Sequence, residues 1–184
     1  MDEREAITRL QRGDIGGLAA LVERYQTKAV RAAYLVCRNR ATAEDVVQSA
    51  FIRVYERVAQ FDPERPFAPW FMRIVVNDTL NLIQREARHQ PLADETLAWS
   101  HPAVGEDPLT ILARSEEIAV VAATLDRLPA QQRATLVQRY YLGMSESEMA
   151  QVGGVAPGTV KWRLHQARAK MRQLLPAWVG PNEE

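Results

Sequence analysis

The sequence has few of the residues and segments that define several large protein classes. It has one cysteine, Cys37, so no disulfide can form within the chain. Its three histidines show no zinc-binding spacing, and we expect neither a metal nor another cofactor. Because it has no membrane-length apolar run and no basic, apolar leader at the N-terminus, we expect no secretion and no membrane insertion. The expected location is the cytoplasm.

Motifs of the common enzyme classes are missing as well. The chain has no glycine-rich phosphate loop, no order of serine, histidine and aspartate that indicates a catalytic triad, and no EF-hand pattern of acidic residues. We therefore expect a protein that is not an enzyme.

Charge is balanced over the whole chain but unevenly distributed. Lysine plus arginine and aspartate plus glutamate number 23 each, which by itself argues against a nucleic-acid partner. Residues 91–112, however, carry four acidic and no basic side chains, whereas 158–175 carry five basic and no acidic ones. The basic segment is the densest patch of one sign in the sequence, and such a patch is typical of a contact with phosphates.

The hydrophobic pattern predicts an all-α protein. Apolar residues recur at helical spacing, and no stretch alternates as a strand would. Thr42 is predicted to cap a helix whose apolar stripe includes Phe51 and Tyr55, and the proline-rich segment 61–69 is predicted to be a loop. A further helix is predicted from Trp70 to about Arg88. From Gln90 to Asp107 the pattern ends, which indicates a linker.

The end of the chain predicts a helix-turn-helix. A short helix capped by Ser145 and Glu148 precedes a glycine turn, and Pro157 opens a basic helix. At 100° per residue one arc of that helix is apolar, and its opposite side carries the residues that could read a major groove: Lys161, Trp162, His165 and Gln166. Arg163, Arg168 and Arg172 flank this side and could reach phosphates. The alternative is a solvated basic helix.

Two further helices carry candidate binding faces. The predicted helix from Trp70 has a polar stripe, which suits unpaired bases: Trp70, Arg73, Asn77, Asn81, Gln84 and Arg88. Ordinary amphipathicity is the alternative, since a single tryptophan is more often part of a core. On the preceding helix Asp45 and Gln48 lie beside a large apolar surface, which favours a protein partner. Asp45 could equally serve as a helix cap.

Three segments resemble one family. The sequences AEDVVQSAFIRVYERVAQF and FAPWFMRIVVNDTLNLIQR resemble region 2 of the sigma-70 family, in particular its extracytoplasmic-function (ECF, group 4) sigma factors. The sequence LPAQQRATLVQRYYLGMSESEMAQVGGVAPGTVKWRLHQARAKM is similar to region 4 of that family. The resemblance implies region 2 at 1–90, a flexible linker at 91–111, region 4 at 112–176 and a tail at 177–184.

The resemblance also implies partners and site residues. It implies a subunit, monomeric when free, that joins core RNA polymerase through the β′ clamp helices and the β flap, binds promoter DNA and is restrained by an anti-sigma factor. Core binding is implied for Asp45, Val46, Val47, Gln48 and Phe51. Minus-ten recognition and strand opening are implied for Trp70, Asn77 and Asn81, with loop 61–67 capturing a flipped base. Minus-thirty-five recognition is implied for Thr159, Lys161, Trp162, His165 and Gln166.

Two other classes remain open from the sequence. The first is a stand-alone helix-turn-helix regulator, which would dimerise and bind DNA without polymerase. The second is an anti-sigma factor or adaptor that uses its helices for protein contacts, which the acid-free basic segment disfavours. The chain departs from the family at Asn81, Gln84, Trp162 and Gln166, so the resemblance does not imply a promoter sequence.

Overall fold

The structure, a computed structural model, describes residues 1–89 and 119–175, the side chains of 86–89 excepted. The first unit contains α1 (Glu3–Gln11), α2 (Ile15–Cys37), α3 (Arg40–Arg57), a 3₁₀ turn (Val58–Gln60) and α4 (Phe67–His89). The second contains the described part of α5 (119–126), α6 (Ala130–Leu136), a π turn (Val137–Tyr141), α7 (Glu146–Gly153) and α8 (Pro157–Leu174). No strand occurs in these ranges, and the all-α prediction is confirmed.

An aromatic cluster forms the core of the first unit. Phe67 and Phe71 are fully buried with ring centroids 5.6 Å apart, and Phe51 lies 4.4 Å from Phe71. Each such ring contributes roughly 1.5–3 kcal/mol by leaving water. The cluster joins α3 to α4, and it therefore fixes the two helices that carry two of the candidate binding faces.

Two predicted helix starts are wrong. Asn39, not Thr42, caps α3, because its side-chain Oδ1 accepts from the Thr42 N–H at 2.9 Å. Asp45 is therefore not part of the cap. Helix α4 begins at Phe67 instead of Trp70, since Pro69 lies in the first turn, where a helix needs no N–H from it.

The helix-turn-helix elements are confirmed. Ser145 and Glu148 form a reciprocal capping box at the start of α7. Gly154 ends α7 with a φ of 59°, a left-handed conformation that glycine adopts without strain. Helices α7 and α8 then pack through a small apolar cluster that contains Met149 and Leu164.

The two units are in contact. Val36 of α2 and Val76 of α4 share an apolar cluster with Ala134 of α6, which is fully buried. Arg133 donates from Nε to the Val36 carbonyl at 3.0 Å, and Arg38 pairs with Asp126 at 2.7 Å. The sequence did not predict this arrangement.

Some predictions concern residues that lie beyond the described ranges. The linker at 91–111 and the tail at 177–184 are among them, and so is the side chain of Arg88. Within the described ranges, no helix is both long and apolar enough to cross a membrane.

Candidate nucleic-acid and partner interfaces

Helix α8 presents the side that the angular argument predicts. Val160, Leu164 and Ala167 are at most 3% exposed and face the helices beneath. The side chains of Lys161, Trp162, His165 and Gln166 are exposed, Trp162 to 62%. A tryptophan with this exposure offers a large apolar surface together with an N–H donor, a combination that is enriched at interfaces. The α8 face, meaning these four residues, therefore combines donors, acceptors and an aromatic ring.

The residues at the edges of the α8 face are less exposed than those at its centre. Thr159, Arg163 and Arg168 are each half-buried. Arg168 donates from Nε to the Tyr140 hydroxyl at 2.7 Å, and its guanidinium lies 5.7 Å from the centre of that ring. Tyr140, which is 63% exposed, was not predicted as a site residue. No periodic signal could have found it, because it lies 28 residues from Arg168, on the π turn.

The polar stripe of α4 lies on one side of the helix, as predicted. Arg73, Asn81 and Gln84 are exposed, while Trp70 and Asn77 are half-buried. The indole of Trp70 packs against Phe61 and Phe67, with ring centroids 4.7 and 5.6 Å away. Trp70 is thus both an edge of the core and a partly accessible ring.

A cleft of about 840 Å³ lies between α7 and the first unit, along the loop that joins α3 to α4. We call this loop, residues 61–66, the capture loop. The cleft is lined by more arginine than acidic side chains: Arg53, Arg57, Arg65 and Arg73 against Asp62, Asp78 and Glu148. The Nη1 of Arg53 donates to both carboxylate oxygens of Asp78, at 2.7 and 2.9 Å, and this ion pair neutralises the Arg53 charge. The cleft is therefore polar and weakly basic.

Helix α7 covers part of the polar stripe of α4, which we call the α4 stripe. Arg73 donates from Nη2 to the Gln151 carbonyl at 3.1 Å, and Asn77 donates from Nδ2 to the Val152 carbonyl at 3.2 Å. Both are side-chain donors held by backbone acceptors of the other unit. The same N–H groups cannot bond a base until these contacts break.

The exposed face of α3 includes only some of the residues that the resemblance implies for core binding. Asp45 and Gln48 are exposed, but Val46, Val47 and Phe51 are at most 6% exposed and pack inside the first unit. Those three residues support the helix and present no surface to a partner. Their burial follows from the 3.6-residue period of the helix, because these residues lie on the side of α3 that packs against the core.

Two residues of α3 were missed. Ile52 and Tyr55 are 54% and 49% exposed and follow Asp45 and Gln48 at steps of three and four residues. The sequence pattern placed Tyr55 in the buried stripe, which is wrong. The α3 face therefore consists of Asp45, Gln48, Ile52 and Tyr55, two polar and two large apolar side chains. An apolar centre with polar neighbours is typical of a protein-binding surface.

The residues that could supply catalytic chemistry are few in the described ranges. No group of three histidine, cysteine, aspartate or glutamate residues within the described ranges could hold a metal ion. Burial raises the pKa of the Cys37 thiol, which disfavours the nucleophilic thiolate.

Comparison with known families gives two matches in order along the chain. The family described as Sigma-70 region 2 matches residues 21–89, and Sigma-70, region 4 matches residues 118–171. The first match contains α3 and α4, and the second contains α7 and α8 as far as residue 171.

Relatives that match along most of this chain are sigma factors as well. ECF RNA polymerase sigma factor SigW of Bacillus subtilis is 29% identical over 94% of this chain and 96% of its own. RNA polymerase sigma factor CnrH of Cupriavidus metallidurans is 32% identical over 90% of each chain. ECF RNA polymerase sigma factor SigM of Mycobacterium tuberculosis is 31% identical over 89% of this chain and 79% of its own.

Solved structures are also similar. CnrH in complex with the cytosolic domain of CnrY has a TM-score of 0.63 and 28% identity, covering 94% of this chain and 96% of that one. The sigma factor RpoE in complex with the anti-sigma factor NepR from Bartonella quintana has a TM-score of 0.66 over 85% of this chain and 94% of its own. At 20% identity the second likeness shows the fold alone.

Proposed function

Because the chain belongs to the ECF sigma factors of the sigma-70 family, which are transcription initiation factors, we propose a division of labour among its three exposed faces. The α3 face binds core RNA polymerase. The α4 stripe and the capture loop open and read the minus-ten element, and the α8 face reads the minus-thirty-five element. The observation that carries this proposal is that the two sigma regions place their exposed polar and aromatic residues on three separate helices.

The composition of the α3 face supports a protein partner. Ile52 and Tyr55 are large, half-exposed and adjacent, and they would leave water when a helical partner such as the β′ clamp helices packs on them. Asp45 and Gln48 at the same face supply directional hydrogen bonds and a negative charge. Of the residues that the resemblance implied, Val46, Val47 and Phe51 act as support for this face.

The α4 stripe supports binding of an unpaired strand. Trp70 offers an accessible ring edge beside the capture loop, and Asn77 and Asn81 follow it on the same side with amides that can bond base edges. Arg73, with Arg57 and Arg65 across the cleft, supplies charge for the phosphates. A base that leaves the stack would enter the cleft beside Trp70.

The α8 face supports duplex readout. Lys161 and Gln166 carry groups that match the edges of guanine and adenine in the major groove, and Trp162 offers an apolar surface to a thymine methyl. Thr159, Arg163 and Arg168 lie at the edge of the face, near enough for the backbone of a bound duplex.

We also propose partners and a location for the protein. Structures of the similar CnrH and RpoE contain the CnrY cytosolic domain and the anti-sigma factor NepR, and we propose that an anti-sigma factor also restrains this chain. The protein acts in the cytoplasm, where core polymerase and promoter DNA are found, and joins the nucleoid as part of the holoenzyme. Region 4 contacts the β flap, and the free protein is a monomer. It has no catalytic role and needs no cofactor of its own.

Dependence on polymerase tests this function. Labelled promoter fragments are footprinted with the chain alone, with core polymerase alone and with both. We expect specific protection of two elements when both are present, and no specific protection with the chain alone. Specific protection by the chain alone, together with dimers in solution, would identify a stand-alone helix-turn-helix regulator instead.

Lys161→Ala is expected to weaken promoter binding by the holoenzyme about tenfold, since one good base contact contributes about 1–3 kcal/mol. The loss should be largest on the preferred promoter and small on unrelated DNA, because a base contact is specific to sequence. Titration of holoenzyme onto both fragments measures it.

Lys170→Ala is the matched control. Lys170 is also exposed on α8 but lies nine residues further on, on the opposite side of the helix. An equal loss in both variants would mean that Lys161 contributes charge alone. Loss of core association in Lys161→Ala would contradict the division of labour.

A further inference from the structure

Helix α1 contacts both ends of the capture loop. This helix lies before residues 21–89, the part of the chain that matches region 2, and carries none of the site residues described above. Its side chains nevertheless reach 50 and 64 residues along the sequence, to Phe61 and to Phe67.

Gln11 holds the first end of the loop. Its Nε2 donates to the Val58 carbonyl at 2.9 Å and to the Phe61 carbonyl at 2.7 Å. Val58 is the first residue of the 3₁₀ turn that leads out of α3, and Phe61 is the residue that follows the turn. A single amide group therefore fixes the geometry from which the loop departs.

Glu3 holds the second end. Its Oε1 accepts from the Phe67 N–H at 3.3 Å, at the start of α4, where backbone donors have no partner within the helix. A carboxylate is also favoured there by the helix dipole. Its Oε2 accepts from the Tyr25 hydroxyl, and the Tyr25 ring packs 5.4 Å from that of Phe67.

Helix α1 is itself a fixed support. Its apolar side, which includes Ile7 and Leu10, is at most 3% exposed. Its backbone lies so close to α2 that a Cβ added at Gly17 would come within 2.2 Å of the Ala6 carbonyl. The two side chains that hold the loop thus project from an element that cannot shift without disrupting the core.

We propose that Gln11 and Glu3 are positioning residues for minus-ten recognition. They set the path of the capture loop and, through Phe61, the pose of Trp70, whose ring lies 4.7 Å from the Phe61 ring. Strand opening by the holoenzyme therefore depends on α1, although none of the residues proposed above to contact DNA or polymerase lies on α1. This inference rests on the proposed role of the loop and α4 stripe in opening the promoter.

The test uses two substitutions of opposite chemistry at one position. Gln11→Glu keeps the shape but presents a carboxylate to two carbonyl oxygens, whereas Gln11→Lys keeps an N–H donor. We expect Gln11→Glu to reduce promoter opening about tenfold, as expected when two acceptors lose their shared donor, and Gln11→Lys to stay within about threefold of the parent. Permanganate reactivity of unpaired thymines in the holoenzyme measures opening.

Core affinity and preference among minus-ten variants are measured with the same holoenzymes. Core affinity should be unchanged in both variants, and discrimination among minus-ten sequences should fall in Gln11→Glu alone. Arg4→Ala is the control, because it removes an exposed pair between α1 and Glu64 of the loop, which contributes little. Tyr25→Phe removes the hydroxyl that bonds Glu3. It is the second variant for testing how α1 holds the loop, and it is used if Gln11→Glu does not fold.

The outcomes separate this inference from the proposed function. Normal opening by Gln11→Glu, or an equal loss in Gln11→Glu and Gln11→Lys, would overturn the positioning role. Failure of the parent holoenzyme to open any promoter would instead overturn the proposed function itself. A loss confined to Gln11→Glu, with core affinity retained, would support the inference.

Discussion

Asp45→Arg is expected to reduce the affinity of the protein for core RNA polymerase by about a hundredfold, the size expected of a charge reversal inside a binding interface. Asp45 lies on the α3 face, the same side of the helix as the two half-exposed apolar residues Ile52 and Tyr55. If the α3 face binds core polymerase as proposed, an arginine there would bury a charge of the wrong sign in that interface. Competition binding with labelled core polymerase measures the change.

Glu23→Arg is the matched control for this prediction. Glu23 is exposed on α2 and carries the same charge, so the two variants have the same net charge. We expect core affinity to be retained in Glu23→Arg, and both variants to keep the helix content of the parent in far-UV circular dichroism. Unchanged core affinity in Asp45→Arg would remove Asp45 from the interface.

Ala134→Glu is expected to separate the two units of the free protein. Ala134 is fully buried in the apolar cluster that joins α6 to α2 and α4, and an unpaired carboxylate there is several kcal/mol less stable than in water. Separation hydrates the carboxylate without unfolding either core. It also releases Arg73 and Asn77 from the carbonyls of α7.

Small-angle X-ray scattering tests this arrangement. A compact chain of 184 residues has a radius of gyration of about 16 Å, and we expect Ala134→Glu to exceed the parent by several ångströms. Far-UV circular dichroism should show unchanged helix content. Ala123→Glu places the same charge at an exposed position of α5 and should leave the radius unchanged. An unchanged radius in folded Ala134→Glu would contradict the contact between the units.

Local signals in the sequence predicted the helices and much of the α8 face. The capping box at Ser145 and Glu148 and the left-handed Gly154 depend only on residues a few positions apart, so both can be recognised in the sequence. The exposure of the α8 face was predicted correctly because the apolar arc of this helix is narrow and regular. The start of α3 was misplaced because Thr42 and Asn39 are both residue types that cap helices, and the structure uses Asn39.

The remaining features depend on contacts between distant residues. The periodicity placed Tyr55 in the core, although the first unit covers one side of α3 and leaves Tyr55 half-exposed. Tyr140 beside Arg168 and Gln11 beside the capture loop join residues 28 and about 50 positions apart. The contact between the two units is of the same kind, since Ala134 has no local feature that marks it as an interface residue.

Transcription from a promoter library tests the central claim most directly. Core RNA polymerase is incubated with the library with and without the folded protein, and new start sites are mapped. We expect start sites that require the protein and lie downstream of one shared pair of sequence elements. An unchanged set of start sites, with folded protein free of any inhibitor, would contradict its assignment as a promoter-specificity subunit.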